Sequence, residues 1–350
     1  MNLAPLKRDI LYFLRRRPNS YRELSQRSWT LCPAEVLVSP PAIYLDGDLD
    51  KVTALMEDTN QERETSRIRG GIKKHSATIA HLLADVELLD GCLYKSSMKD
   101  RLIRAPEGMI GPIAAVHKSE VSLACTLYGN TYFGHWITDD LTLQLAGEGL
   151  AEPITVARKP YKHEMEYCRL FAIERRPLRR AKFRQMITLE DVGQNRFKRA
   201  RYQVLRDRIK ASIVPQGNKR VIIRRGGKGA NRKLVNDLEI EDYLNAQGFS
   251  VIDPDALSAS EIVERTAGAS LVIGVEGSHM MHGLFTMAEG GVLCVIQPPY
   301  RFNNVYKDYT DCLGMRYAFL TGQGVEGGFT VTLDELKRFL DHVEVSVQSL

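Results

Sequence analysis

Long apolar runs are missing from this chain. The longest near the amino terminus, Ile10 to Leu14, falls far short of the ~20 residues that span a bilayer. Met1 to Pro5 does not read as the charged start of a secretory leader. Cysteine is sparse and unpaired in pattern: positions 32, 92, 125, 168, 294 and 312 form no CxxC. That excludes a disulfide framework and a zinc knuckle, and fits a reducing cytoplasm. No P-loop and no GxGxxG is present. The acidic "DGDLD" at Asp46 to Asp50 reads as a loop rather than a metal-binding pair. No period of 20–50 residues repeats and nothing is low in complexity.

What is there is an ordinary globular composition over 350 residues, 44% hydrophobic and 26% charged. That length suggests two domains, because single cores rarely grow past roughly 250–300 residues. The net charge of +5 is uneven: Arg158 to Lys210 holds 17 Lys/Arg against 6 Asp/Glu. Such a block is either a solvated helix face or a surface for nucleic acid, anionic lipid or a phosphorylated small molecule. Nucleic acid is disfavoured, because no binding motif or aromatic–basic ladder accompanies the charge.

Leu3, Leu6, Ile10 and Leu14, with Lys7, Arg8 and Arg15 to Arg17, predict a short basic amphipathic helix ended by Pro18. It is suited to docking on the protein surface or to touching a membrane. A helix is expected over Thr78–Leu89, and another opening near Gly134 in "NTYFGHWITDDLTLQLAGEG". From about Tyr202 helices alternate with strands of five or six residues: "KRVIIRR", "FSVIDP", "SLVIGV" and "GGVLCVIQP" are strands, and "GSHMMHGLFTMA" is a helix. Ser258 or Ser260 is the expected cap of the helix in "SASEIVERTAGA", and Gly248 closes the helix before "FSVIDP". That rhythm predicts a parallel, Rossmann-like α/β domain.

In an open α/β sheet, ligands bind where strands turn into helices. Two such turns are chemically loaded. In "KRVIIRRGGKGANRK", Arg224, Arg225, Lys228 and Arg232 surround three glycines. In "SLVIGVEGSHMMHGLF", Gly277 and Ser278 are expected to open a helix whose free amides favour an anion. Together the turns suit a diphosphate. Glu276, His279 and His282, spaced by three, are a poor metal set, since the third falls off the face shared by the first two. Nothing nearby completes a zinc shell. The two histidines can equally be buried residues satisfied by backbone.

These residues resemble a known family. "FGHWITDDL" is similar to the HW-x-x-D block of glycosyltransferase family 61, and the stretch from "IIRRGG" to "MMHGLF" to that family's second and third blocks. The likeness runs from about Tyr132 to Tyr317. It implies a GT-B-like α/β fold, two Rossmann-like domains facing across a cleft, and inverting transfer of a sugar from a nucleotide-sugar. A UDP-sugar is the favoured donor, and a glycan or lipid-linked acceptor of bacterial polysaccharide biosynthesis the favoured acceptor. His135 and Asp139 fall on the family's site positions, Arg224 or Arg225 with Arg232 on its donor-binding ones, and Gly277 and Ser278 on its small pair. His282 stands where many members have Asn, and Glu276 where they often have His. Neither a metal nor a cofactor is expected, the arginines taking the place of a cation.

For the base, His135 and Asp139 lie four apart on one helix face, so Asp139 can orient the imidazole. Alternatively Asp139 or Asp140 is itself the base, or His135 is only packed beside Trp136. The expected domains are an acceptor-side domain over 1–205 and a nucleotide-sugar domain over 206–332. A helix in 333–350 follows, with the first domain as one place for it to dock. A cytoplasmic protein, with peripheral contact to an anionic membrane as one use of its basic segments, completes the expectation. The competing readings are an inactive binding or scaffold protein of the same fold and a basic nucleic-acid-binding protein.

Overall fold

The computed structural model describes residues 4–15, 19–104, 116–215, 219–226 and 232–348. It divides into two compact units: residues 1–35 with 75–202, and 36–74 with 203–350.

The first unit is built on an eight-stranded mixed sheet. Its strands are Arg27–Cys32 (β1), Thr78–Leu89 (β2), Cys92–Lys95 (β3), Met98–Arg101 (β4), Val116–Leu123 (β5), Glu152–Val156 (β6), Pro177–Leu178 (β7) and Arg180–Glu190 (β8). The order is β4-β3-β2-β8-β5-β6-β7, with β1 also on β2. Pairing is antiparallel through β1, β2, β3, β4 and β8 and parallel from β8 through β5 and β6 to β7.

The helix expected over Thr78–Leu89 is therefore a strand. Its apolar residues satisfy both a helical and an alternating period, so local spacing is ambiguous. Pairing with β8 from Ile79 to Leu89 decides it. Leu83, Val86 and Leu88 enter a core shared with Val121, Ile154, Phe183 and Met186.

The second unit carries a five-stranded, wholly parallel sheet: Arg220–Ile223 (β9), Ser250–Ile252 (β10), Leu271–Val275 (β11), Val292–Gln297 (β12) and Arg316–Thr321 (β13). The order is β10-β9-β11-β12-β13. Every residue of β11 and β12 is buried, as expected when helices cover both faces of a parallel sheet. Ser258 caps Ala259–Thr266 through a capping box, and Gly248 takes the positive φ that ends Asp237–Ala246. Helix Leu333–Gln348 lays Leu336, Phe339, Leu340 and Val343 into the core of this same sheet. The strand order reverses between β9 and β11. The crevice beyond their carboxyl ends is thus the switch point at which such sheets bind ligands.

Candidate functional site

In the first unit, Tyr132 leads into a helical segment that changes pitch. Phe133–His135 is α-helical, Trp136–Asp140 is a π turn in which the Leu141 amide donates to the Trp136 carbonyl, and Leu141–Glu148 resumes the α-helix. Isolated π turns often mark functional sites. Here His135 Nδ1 stands 2.8 Å from Asp139 Oδ2, with the tilted rings of Tyr128 and Tyr132 beside the imidazole. His135 and Asp139 keep 31% and 23% of their side-chain surface, so the pair reaches solvent.

Behind it lies a buried polar chain. Lys198, 3% exposed, donates to Asp139 Oδ1 at 3.0 Å and to the Asp191 carbonyl at 3.0 Å. Asp191 accepts two bonds from Arg201, at 2.8 and 2.9 Å, and one from Thr78 at 2.8 Å. Asn195 caps helix Arg196–Ala211 by accepting from the Phe197 and Lys198 amides, and its own amide donates to Thr78 Oγ1. Burial opposes charge on Asp139, yet the Lys198 ammonium and His135 overcome it and hold the carboxyl well below its ordinary range. An ionised Asp139 accepts the Nδ1 proton and leaves Nε2 as the basic nitrogen.

Asp140 is turned elsewhere. It is buried and accepts from the Thr126 amide and hydroxyl, both at 3.0 Å, and a Cβ on Gly129 would collide with it. Burial, followed by the neighbouring Asp139 charge, pushes its carboxyl well above the ordinary range. A carboxyl raised in the folded state stabilises fully below its unfolded value of about 3.9, and that contribution is lost as pH rises through the folded value. Asp140→Asn keeps the acceptor for Thr126 and cannot ionise. Urea unfolding should show it about as stable as wild type near pH 4 and more stable at pH 8, by about 1 kcal/mol or more. A difference that does not change with pH would contradict this.

In the second unit the switch-point crevice gathers Arg225 after β9, Glu276 and Gly277 after β11, and Arg232. Glu276 is buried. Its Oε2 pairs with Arg232 at 2.6 Å and Arg301 at 3.1 Å, and its Oε1 accepts from Tyr306 at 3.3 Å. Its carbonyl accepts from Arg225 at 3.0 Å and Arg232 at 3.1 Å. A Cβ at Gly277 would stand 2.2 Å from Arg225 Nη1 and 2.8 Å from His279 Nδ1, so only glycine admits the guanidinium here.

Two guanidinium groups thus share one carboxylate, and a third bonds the carbonyl of the same residue. Burial, and then repulsion from Arg232, push Arg225 down. The same burial, with Arg225 and Arg232, pushes His279 down to about 3 and keeps it neutral. Among the described residues, Arg232 Nε, His279 Nε2 and Tyr300 Oη are buried without a hydrogen-bond partner. Buried polar atoms are rarely left so. Tyr300 also lines an open hollow of about 580 Å³ with Gly324, Val325, Glu326, Gly327 and Gly328. Such a corner can receive an anion with further acceptor atoms.

Other sequence candidates lie apart. Arg224 is held by Glu241 at 2.8 Å and Asp253 at 2.9 Å. Lys228 lies outside the described residues. The helix expected from Gly277 is only a 3-10 turn, Ser278–Met280, and one α-turn, Met281–Leu284. Gly283 sits in its middle, and its apolar residues are buried on every side. The Gly277 amide donates to Tyr306 Oη at 2.9 Å, so it is already bonded within the protein, and the guanidinium groups are the donors this corner offers. His282 is buried in the α-turn.

Lys198, Asp191, Arg201, Arg301 and Tyr306 were not expected from the sequence. The only signal for the first three was the basic block itself, of which the structure buries Lys198, Arg201 and Arg206 and pairs several others with carboxylates. Glu164 is held by Arg158 and Arg175, Asp90 by Arg179 and Arg180, and Arg206 donates to the Met287 carbonyl at 2.8 Å. Among the described residues, no three His, Cys, Asp or Glu side chains are grouped to hold a metal ion. No described helix is long and apolar enough to cross a membrane.

No curated protein matches the chain. A family model described as Glycosyltransferase 61 matches residues 133–294, which take in the His135–Asp139 turn, Lys198, Arg225, Arg232 and the Glu276–Gly277 corner. Residues 133–294 are thus similar to glycosyltransferase family 61, and the match supports a glycosyltransferase, which would bind a donor and an acceptor.

Proposed function

We propose that the protein transfers a sugar, with inversion, from a nucleotide-sugar, a UDP-sugar in the first instance, to a glycan or lipid-linked acceptor in polysaccharide biosynthesis. The GT-B arrangement, with the first unit serving the acceptor and the second the donor, is part of the proposal. So are independence from a metal ion and work at the cytoplasmic side.

His135 Nε2 takes the acceptor hydroxyl proton, and the freed oxygen bonds to the anomeric carbon from the face opposite the diphosphate. The bond from that carbon to the diphosphate oxygen breaks, and the electron pair leaves with the nucleoside diphosphate. Arg225, Arg232 and Arg301 neutralise the charge that develops there. The observation that carries the reading is the guanidinium cluster: Arg232 and Arg301 on the single carboxylate of Glu276 and Arg225 on its carbonyl, at a switch point, with Arg232 Nε lacking an acceptor. A diphosphate supplies the missing negative charge and acceptors.

Nuclear magnetic resonance of the product formed from an α-linked UDP-sugar tests the reaction. The new linkage is expected to be β. An α product would remove the single-displacement scheme, and with it the role given to His135.

A further inference from the structure

Helix Ala4–Arg15 rests on β3 and β4 with Ala4, Arg8 and Leu11 partly covered. Its other side is apolar and open. Leu6, Ile10, Phe13 and Leu14 are 60%, 54%, 81% and 70% exposed, at the i, i+4, i+7, i+8 spacing that forms one stripe. A contiguous stripe of large apolar side chains is a binding surface rather than the scatter of single residues found on any protein.

The charge around it is net positive. Lys7 on the helix and Lys99 and Arg101 on β4 are exposed. The nearby acids are already engaged: Asp9 pairs with Arg8 at 2.7 Å, and Asp100 accepts the Tyr21 hydroxyl. Arg8 itself lies over the Tyr12 ring. Four side chains of this size offer on the order of 500 Å², short of the roughly 800 Å² per partner that a stable protein interface takes. A bilayer interface needs no such area from a single helix, because it adds attraction between lysine or arginine and anionic headgroups.

We infer that this helix lies in the surface of an anionic membrane, inserting Leu6, Ile10, Phe13 and Leu14 among the acyl chains while Lys7 meets the headgroups. The inference does not depend on the sugar-transfer reading.

Flotation of the full chain with vesicles tests it. The protein should float with phosphatidylglycerol–phosphatidylcholine vesicles, much less with pure phosphatidylcholine, and less again as salt rises. Phe13→Glu should lower the partition coefficient by about tenfold or more, and Phe13→Leu should retain most of it. Circular dichroism and turnover on a soluble acceptor should be unchanged in both. Equal flotation of wild type and Phe13→Glu, or no flotation of wild type with anionic vesicles, would overturn the inference. So would a vesicle-free dimer that Phe13→Glu dissolves, which would make the stripe a contact between two copies.

Discussion

Replacing His135 by Ala lowers the turnover of sugar transfer by about 10²–10⁴-fold, the usual contribution of a positioned base, with donor affinity near wild type. The expectation rests on the chain behind the imidazole. Asp139 is kept ionised by Lys198, and it orders the ring through Nδ1. Lys198→Met separates orientation from proton transfer. It leaves the half-buried Asp139 and the buried Asp191 without the ammonium between them, a loss of up to about 3–5 kcal/mol for a broken buried pair, and keeps His135 in place.

The sign of the accompanying pH effect follows from Asp139. Its folded value is depressed, so the stability it contributes is present above about 3.9 and is lost as pH falls through the lower folded value. Without Lys198 that loss moves to higher pH, which acid unfolding followed by circular dichroism measures. His135→Ala with near-normal turnover would remove the base. An acid midpoint that Lys198→Met leaves unmoved would remove the relay behind it.

The second large effect belongs to the guanidinium cluster. Arg225→Ala lowers kcat/KM for the donor by about 100- to 1,000-fold, or ~2.7–4 kcal/mol. Arg225 is the cleaner probe, since it bonds the Glu276 carbonyl, whereas Arg232 also neutralises the buried Glu276 carboxylate. Arg224→Ala, one residue away, changes donor kinetics little. Its guanidinium is spent on Glu241 and Asp253 at an exposed position, where such pairs are worth about 0–1 kcal/mol. Equal losses at 224 and 225 in steady-state kinetics would contradict the assignment of the anion to the crevice.

Much of the second unit was legible because its signals are local. Short buried strands alternate with capped helices, and the strand order then brings the Arg225 and Gly277 turns to one crevice. Sequence alone could not choose between Arg224 and Arg225. Neighbours on an extended segment point to opposite sides, and the carboxylates that claim Arg224 come from residues 241 and 253.

The His135–Asp139 pair was readable from its spacing of four. Lys198, 59 residues further on, was not, because nothing local distinguishes a buried lysine from the charged run around it. Thr78–Leu89 shows the same limit for secondary structure, since its partner β8 begins about ninety residues away. The short helix after Gly277 shows the reverse case. An apolar run reads as helix, but burial on all sides together with Gly283 and the Tyr306 hydroxyl produces a turn.

The central claim is that arginine charge, in place of a divalent cation, receives the diphosphate. Titration calorimetry of UDP into wild type and into Arg225→Ala, both in excess chelator, tests it most directly. The account predicts that UDP binds wild type undiminished by the chelator and binds Arg225→Ala at least about tenfold more weakly, since a hydrogen bond to a charged group contributes about 1.5–3 kcal/mol. Binding that vanishes with the chelator, or that Arg225→Ala leaves intact, would contradict it.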